Sequence, residues 1–180
     1  MPVLTLVFEK PRLEVWARAV LTRLPALEGR PIRVQTAGGL GTRRGPVHGG
    51  AFVRERRMAL DCPAAEFPRI FAHELFHFAW VRAGNRARRS FERILRDEWI
   101  QGARGELGWS AEWRKRELSA ADVRARGRRW REYCCESFCD TAAWLYSGLP
   151  AHAEFTLAQR RRARRKSWFE GWLGERTLPV

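Results

Sequence analysis

The chain has 180 residues and a mass of 20.9 kDa, with 34 Lys and Arg against 20 Asp and Glu, a formal net charge of +14 and a pI near 11.2. At about 150 residues per domain the length predicts a single domain over residues 1–180, and 45% hydrophobic residues with nine Trp give it the core that a disordered chain lacks. The longest stretch free of Asp, Glu, Lys and Arg, residues 141–153, is shorter than the roughly 20 residues of a membrane helix, so no membrane partner is expected.

The first residues carry neither a basic n-region nor a small-residue cleavage site and read as a strand. The four cysteines, Cys62, Cys134, Cys135 and Cys139, form no C-x-x-C pair and no secreted disulfide framework. Both features predict a cytoplasmic protein with reduced thiols. All basic residues except Lys10, Lys115 and Lys166 are Arg, a skew that codon usage produces as readily as function.

Residues 3–8 form an apolar, β-branched run, and residues 11–24 place Leu13, Trp16, Ala17, Val20, Leu21 and Leu24 at helical spacing. Residues 31–36 alternate as a strand. Six glycines between Gly38 and Gly50 then punctuate a segment carrying Arg43, Arg44 and His48. Without the G-x-x-x-x-G-K-[ST] spacing it is predicted to be a connection and no phosphate cradle. Residues 51–60 read as the next strand.

From residue 64 the periodicity is helical almost to the end. Residues 64–83 carry Phe67, Ile70, Phe71, Leu75, Phe78 and Ala79 on a broad apolar face, with Gly84 and Asn85 as a stop. Residues 86–101 make a second helix. Residues 102–110, with three glycines, Glu106 and Trp109, are predicted to be a structured loop. Ser119 and Asp122 form a capping box with Asp in place of Glu, opening a long helix to about Tyr146 that Gly148 and Pro150 close. Residues 156–173 form a last helix with a basic run at 160–166.

The chemistry is concentrated in His73-Glu74-Leu75-Phe76-His77, an H-E-x-x-H inside the helix over residues 64–83. At about 100° per residue, His73 and His77 lie about 40° apart and one turn along the axis, so both imidazoles reach one tetrahedral Zn²⁺. Glu74 projects beside them as a general base for a zinc-activated water. The metzincin extension would require Gly at Trp80 and His at Ala83, which excludes that class. His48 and His152 lie in Gly- or Pro-flanked segments, so Glu136 is the preferred third ligand. It shares a helix face with Asp140 at i, i+4 among apolar neighbours, where carboxylates require partners such as a metal and its imidazole.

His73-Glu74-x-x-His77 followed on a later helix by Glu136-x-x-x-Asp140 resembles the gluzincin zinc peptidases, of which thermolysin is the familiar example. The resemblance covers two helices, about a third of the chain. It implies Zn²⁺ held by His73, His77 and Glu136, Glu74 as general base, Asp140 bonded to His73, and a peptide or protein as substrate. It also implies a sheet-edge strand beside the active-site helix that takes up the peptide as a further strand; residues 51–60 hold that place, with Arg54, Glu55, Arg56 and Arg57 along the edge. The fold expected is therefore α+β and zincin-like, with a small N-terminal mixed sheet whose edge strand lies over the active-site helix and a mostly helical C-terminal half. No motif supplies a transition-state donor. Tyr133, on the same helix face as Glu136 and Asp140, is the candidate, ahead of Arg129 and His152. Cys135 and Cys139 stand at i, i+4 as well, but read as core residues for want of further ligands nearby.

A basic nucleic-acid-associated protein is the alternative. Its helices at residues 124–131 and 160–166 would dock on phosphates or another polyanion, with the zinc site structural or vestigial. No zinc finger or RNP sequence accompanies them. A protease acting beside DNA, like the SprT-type zincins, would combine the two readings, but uses a third His where this chain has Glu136.

Overall fold

Three parallel strands and one antiparallel strand form the sheet that backs the H-E-x-x-H helix. In the computed structural model, which describes residues 6–42, 45–174 and 176–180, the order of this sheet is β1 (Leu6–Phe8), β3 (Ile32–Thr36), β7 (Arg57–Leu60) and β6 (Gly49–Phe52). The helix α1 (Pro11–Leu21) makes the crossover between β1 and β3, and buries Leu13, Ala17 and Val20 as its spacing dictates. A short parallel pair joins β2 (Leu27–Glu28) to β8 (Leu178–Pro179), so the C-terminus packs beside the first crossover. A second small pair is β4 (Gly41–Thr42) with β5 (Gly45–Pro46). Residues 3–5 of the first predicted strand, and Arg43 and Arg44, lie outside the described residues.

The strand expected over residues 51–60 is instead a hairpin, with β6 and β7 joined by a turn at residues 53–56. No Gly, Pro or Asn marks this turn. Arg56 adopts the left-handed φ of 53° and is held there by tertiary contacts, its guanidinium over the Phe78 ring at 5.2 Å and bonded to the Arg30 and Pro31 carbonyls. Arg54, Glu55 and Arg56 therefore form the turn and no charged edge, while Arg57 opens an interior strand. The edges of the sheet are β1 and β6, and β6 is the one beside α2 and the H-E-x-x-H.

Helix α2 (Phe67–Arg82) is buried on nearly every side, between the sheet and α6 (Arg128–Tyr146). Its aromatic residues define the core on both faces: Phe67 meets Trp16 edge-on at 5.4 Å, and Phe76 packs on Phe138 and Phe169. After Ala83, Gly84 at φ 72° redirects the chain into α3 (Gly84–Ile100). Part of the predicted loop is helical, as α4 (Trp109–Arg116) begins one residue after Gly108. The capping box at Ser119 and Asp122 forms, but caps the six-residue α5 (Ala120–Ala125) and not the long helix. Arg126 at φ 48°, bonded through its guanidinium to Glu92, ends α5, and α6 starts afresh at Arg128. The architecture is α+β, with a small sheet and a mostly helical C-terminal half. No helix among the described residues is long and apolar enough to cross a membrane.

The basic run in α7 (Gln159–Leu173) is only partly a surface feature. Arg165 is fully buried and clamps Glu98 (2.6 Å) and Glu106 (2.7 Å), with Ser137 at 2.9 Å. Lys115 adds a second cation at 3.0 Å from Glu106, so two carboxylates face two cations. Arg164 pairs with Asp97, Lys166 with Glu170 and Arg128 with Glu132, and Arg162 bonds backbone carbonyls. The segments expected to dock on phosphates thus spend many of their cations within the fold.

Candidate metal centre

His73 and His77 sit on the α2 face turned to α6, and Glu136 answers them from α6. His73 Nε2 lies 3.3 Å from His77 Nε2 and 3.2 Å from Glu136 Oε2, and His77 Nε2 lies 3.9 Å from the same oxygen. A tetrahedral ion at about 2.0–2.1 Å from each ligand separates them by about 3.3–3.4 Å; the two separations from His73 match this, the one from His77 to Glu136 is longer, and the donor types suit zinc.

The outer contacts fix the donors. His73 Nδ1 bonds Asp140 Oδ1 at 2.7 Å, leaving Nε2 for a metal. Asp140 Oδ2 accepts from the Ala111 N–H at 2.9 Å, so the same carboxylate caps the first turn of α4. Gly108 makes room for it: a Cβ there would lie 2.2 Å from Asp140 Oδ1. His77 Nδ1 faces Cys135 Sγ at 3.5 Å. Arg114, from α4, holds the second oxygen of Glu136 at 3.2 Å.

Burial opposes charge on His73, His77 and Glu136, and their neighbours override it. Asp140 and Glu136 hold the His73 ring well above its ordinary range, and Cys135 and Glu136 lift His77 to about 9. Against the same burial, His73, His77 and Arg114 keep Glu136 at about 2. Glu74 differs: burial raises it, and the two imidazoles only oppose that rise. Glu74 therefore takes a proton more readily than Glu136.

These side chains line a cleft of about 450 Å³. One wall is β6 with the preceding Val47 and His48, so the free sheet edge runs directly beside the metal donors. Gly49 is required there, since a Cβ would meet Glu74 Oε1 at 2.7 Å and Ile70 Cγ2 at 2.7 Å. The opposite wall is Trp109, Ser110 and Arg114, closed at the end by Arg69 and Glu154, which pair at 3.0 Å.

Of the residues singled out from sequence, His73, Glu74, His77, Glu136 and Asp140 come together here. Tyr133 does not. Its hydroxyl donates to Glu106 Oε1 at 2.6 Å inside the Arg165 cluster, the ring is fully buried, and burial with the Glu106 charge pushes its pKa well above 10. That acceptor comes from the loop before α4, which helical spacing in α6 does not reveal. Arg129 is exposed and does not line the cleft. His152 bonds Glu66 at 3.1 Å, in the network around Arg69. His48 does line the cleft, with Nδ1 bonded to the Asp61 carbonyl at 3.0 Å. Sequence reasoning missed Arg114, Gly49 and Gly108, whose only signal was two glycines in segments read as loops. No family model, curated protein or solved structure matches this chain.

Proposed function

We propose that this chain is a zinc metallopeptidase with a zincin-like active site of the gluzincin pattern. The observation that carries the reading is the triangle of His73, His77 and Glu136 donors with Glu74 beside it, in a cleft whose wall is an unpaired sheet edge. His73, His77 and Glu136 would hold the zinc, which would supply a Lewis acid and lower the pKa of a water at the centre towards 7. Glu74 takes a proton from the attacking water on its carboxylate and returns it to the leaving amine, work for which a buried carboxyl with a raised pKa suits it. β6 aligns an extended peptide by main-chain hydrogen bonds along the cleft. Arg114 replaces Tyr133 as the candidate donor to the oxygen that gains charge. It lines the cleft, and its Nε is buried without a hydrogen-bond partner.

Zinc content and cleavage of a fluorogenic peptide library, compared between the wild-type chain and Glu74→Gln, test this reading. Glu74→Gln should keep zinc and lose cleavage; hydrolysis retained in that variant sinks the mechanism.

One observation favours the second reading, a polyanion or nucleic-acid partner. Arg86, Arg93 and Arg176 rim a groove of about 620 Å³ between α3 and α7, walled by the stacked Trp168 and Trp172, and none of the three forms an ion pair among the described residues. Steeply salt-dependent binding of single-stranded oligonucleotide, weakened by Arg93→Ala, supports that partner.

A further inference from the structure

Two pairs of side chains leave α6 at the same i, i+4 spacing, offset by one residue. Glu136 and Asp140 face the centre described above. Cys135 and Cys139 lie about 100° round the helix from them. The His77 ring stands between the two rows, with Nε2 turned to His73 and Glu136 and Nδ1 3.5 Å from Cys135 Sγ. The ligand atoms of His77, Cys135 and Cys139 all lie within 4.8 Å of one another. A nitrogen at about 2.05 Å and a thiolate sulfur at about 2.3 Å from one tetrahedral ion stand about 3.5 Å apart, and two such sulfurs about 3.8 Å. None of the four cysteines is in a disulfide. Cys139 is fully buried, and the half-buried Cys135 opens towards solvent.

We propose that His77, Cys135 and Cys139 form a second metal centre, whose one-nitrogen, two-sulfur donor set takes a thiophilic d¹⁰ cation such as Cu⁺ or Cd²⁺ in preference to oxygen-seeking ions. Binding requires Cys135 Sγ, Cys139 Sγ and His77 Nδ1 all to be free of protons; those displaced pass to solvent as two metal–sulfur bonds and one metal–nitrogen bond form. His77 is common to both centres through opposite ring nitrogens, so the two fill together only when that ring carries no proton.

The experiment is titration of Cd²⁺ alone into the reduced, metal-free full chain, read by thiolate-to-cadmium charge-transfer absorption. The band should grow in the wild-type chain and in Glu136→Ala, which removes only the oxygen ligand of the first centre. It should fall by at least half in Cys139→Ala, vanish in Cys135→Ala/Cys139→Ala, and require about tenfold more Cd²⁺ in His77→Ala. Cadmium NMR of the wild-type chain is a readout that needs no variant, because the chemical shift counts sulfur ligands; two are expected. A folded wild-type chain without the band, a shift typical of nitrogen and oxygen ligands alone, or a band of full intensity in Cys139→Ala overturns the proposal. Hydrolysis enters none of these readouts. A chain that shows the band and cleaves no peptide supports this centre and removes only the peptidase reading.

Discussion

Asp140 and His73 meet across the α2–α6 interface at 2.7 Å, and the other oxygen of the same carboxylate holds the first turn of α4. One side chain therefore sets the tautomer of His73, a ligand in the proposed zinc centre, and anchors the helix that brings Arg114 to Glu136. Asp140→Asn keeps the shape but weakens the bond to His73, and zinc affinity should fall about 10- to 100-fold in competition with a chelating indicator. Asp140→Ala should in addition cost about 1–3 kcal/mol of stability through the uncapped Ala111 N–H and the unpartnered imidazole. Wild-type zinc affinity in Asp140→Asn would separate Asp140 from the metal centre.

Gly49 is the point where the sheet edge touches Glu74, the general base of the proposed mechanism. A methyl group there overlaps both Glu74 Oε1 and Ile70 Cγ2, on a buried helix that has little room to retreat. Gly49→Ala should displace the Glu74 carboxylate and lower kcat by tenfold or more, a size of effect that small misplacements of a reacting group produce. The His73, His77 and Glu136 triangle does not include Gly49, so zinc stoichiometry should stay at the wild-type value. Loss of zinc with loss of activity would indicate a general collapse of the site.

Much of this centre was legible because helical periodicity is local. H-E-x-x-H specifies its own geometry on one helix, and an i, i+4 Glu and Asp amid apolar residues announces a buried carboxylate pair. The parts that escaped depend on contacts between distant segments. Arg56 takes a left-handed turn conformation because Phe78 and two carbonyls hold its side chain, and nothing in residues 53–56 declares it. Helix α4 is capped by Asp140 from another helix, so the loop reading of Gly102 to Ser110 had no local start signal to correct it. The break at Arg126 rests on Glu92 in α3. Tyr133 shows the limit of facing arguments: its ring follows the helix, but its hydroxyl follows Glu106.

Tyr133→Phe separates a structural from a catalytic role. The hydroxyl donates to Glu106, which keeps Lys115 and Arg165 as partners when it is gone. Thermal or denaturant unfolding should show a loss of about 1–3 kcal/mol. Cleavage at saturating zinc and permissive temperature should stay within about twofold of wild type, whereas loss of a transition-state donor costs about 10²–10³ in kcat. A drop of that size would return Tyr133 to the active site.

The Arg165 cluster also sets an acid limit on stability. Burial would raise the Glu106 carboxyl, but Arg165, Lys115 and the Tyr133 hydroxyl outweigh it and hold the group at about 2, against an ordinary value of 4.5. A carboxyl with a depressed folded pKa contributes stability that is fully present above about pH 4.5 and is lost as pH falls through about 2. At 1.36 kcal/mol per pH unit this one group contributes at most about 3 kcal/mol. Unfolding free energy measured in urea between pH 6 and pH 2.5 should decline mainly below pH 4.5. In Glu106→Gln that part of the slope should be absent, and the variant should be less stable at pH 7 because Arg165 then keeps only Glu98 and Lys115 loses its carboxylate partner, an uncompensated buried charge. An unchanged acid slope in Glu106→Gln would place the acid sensitivity elsewhere in the fold.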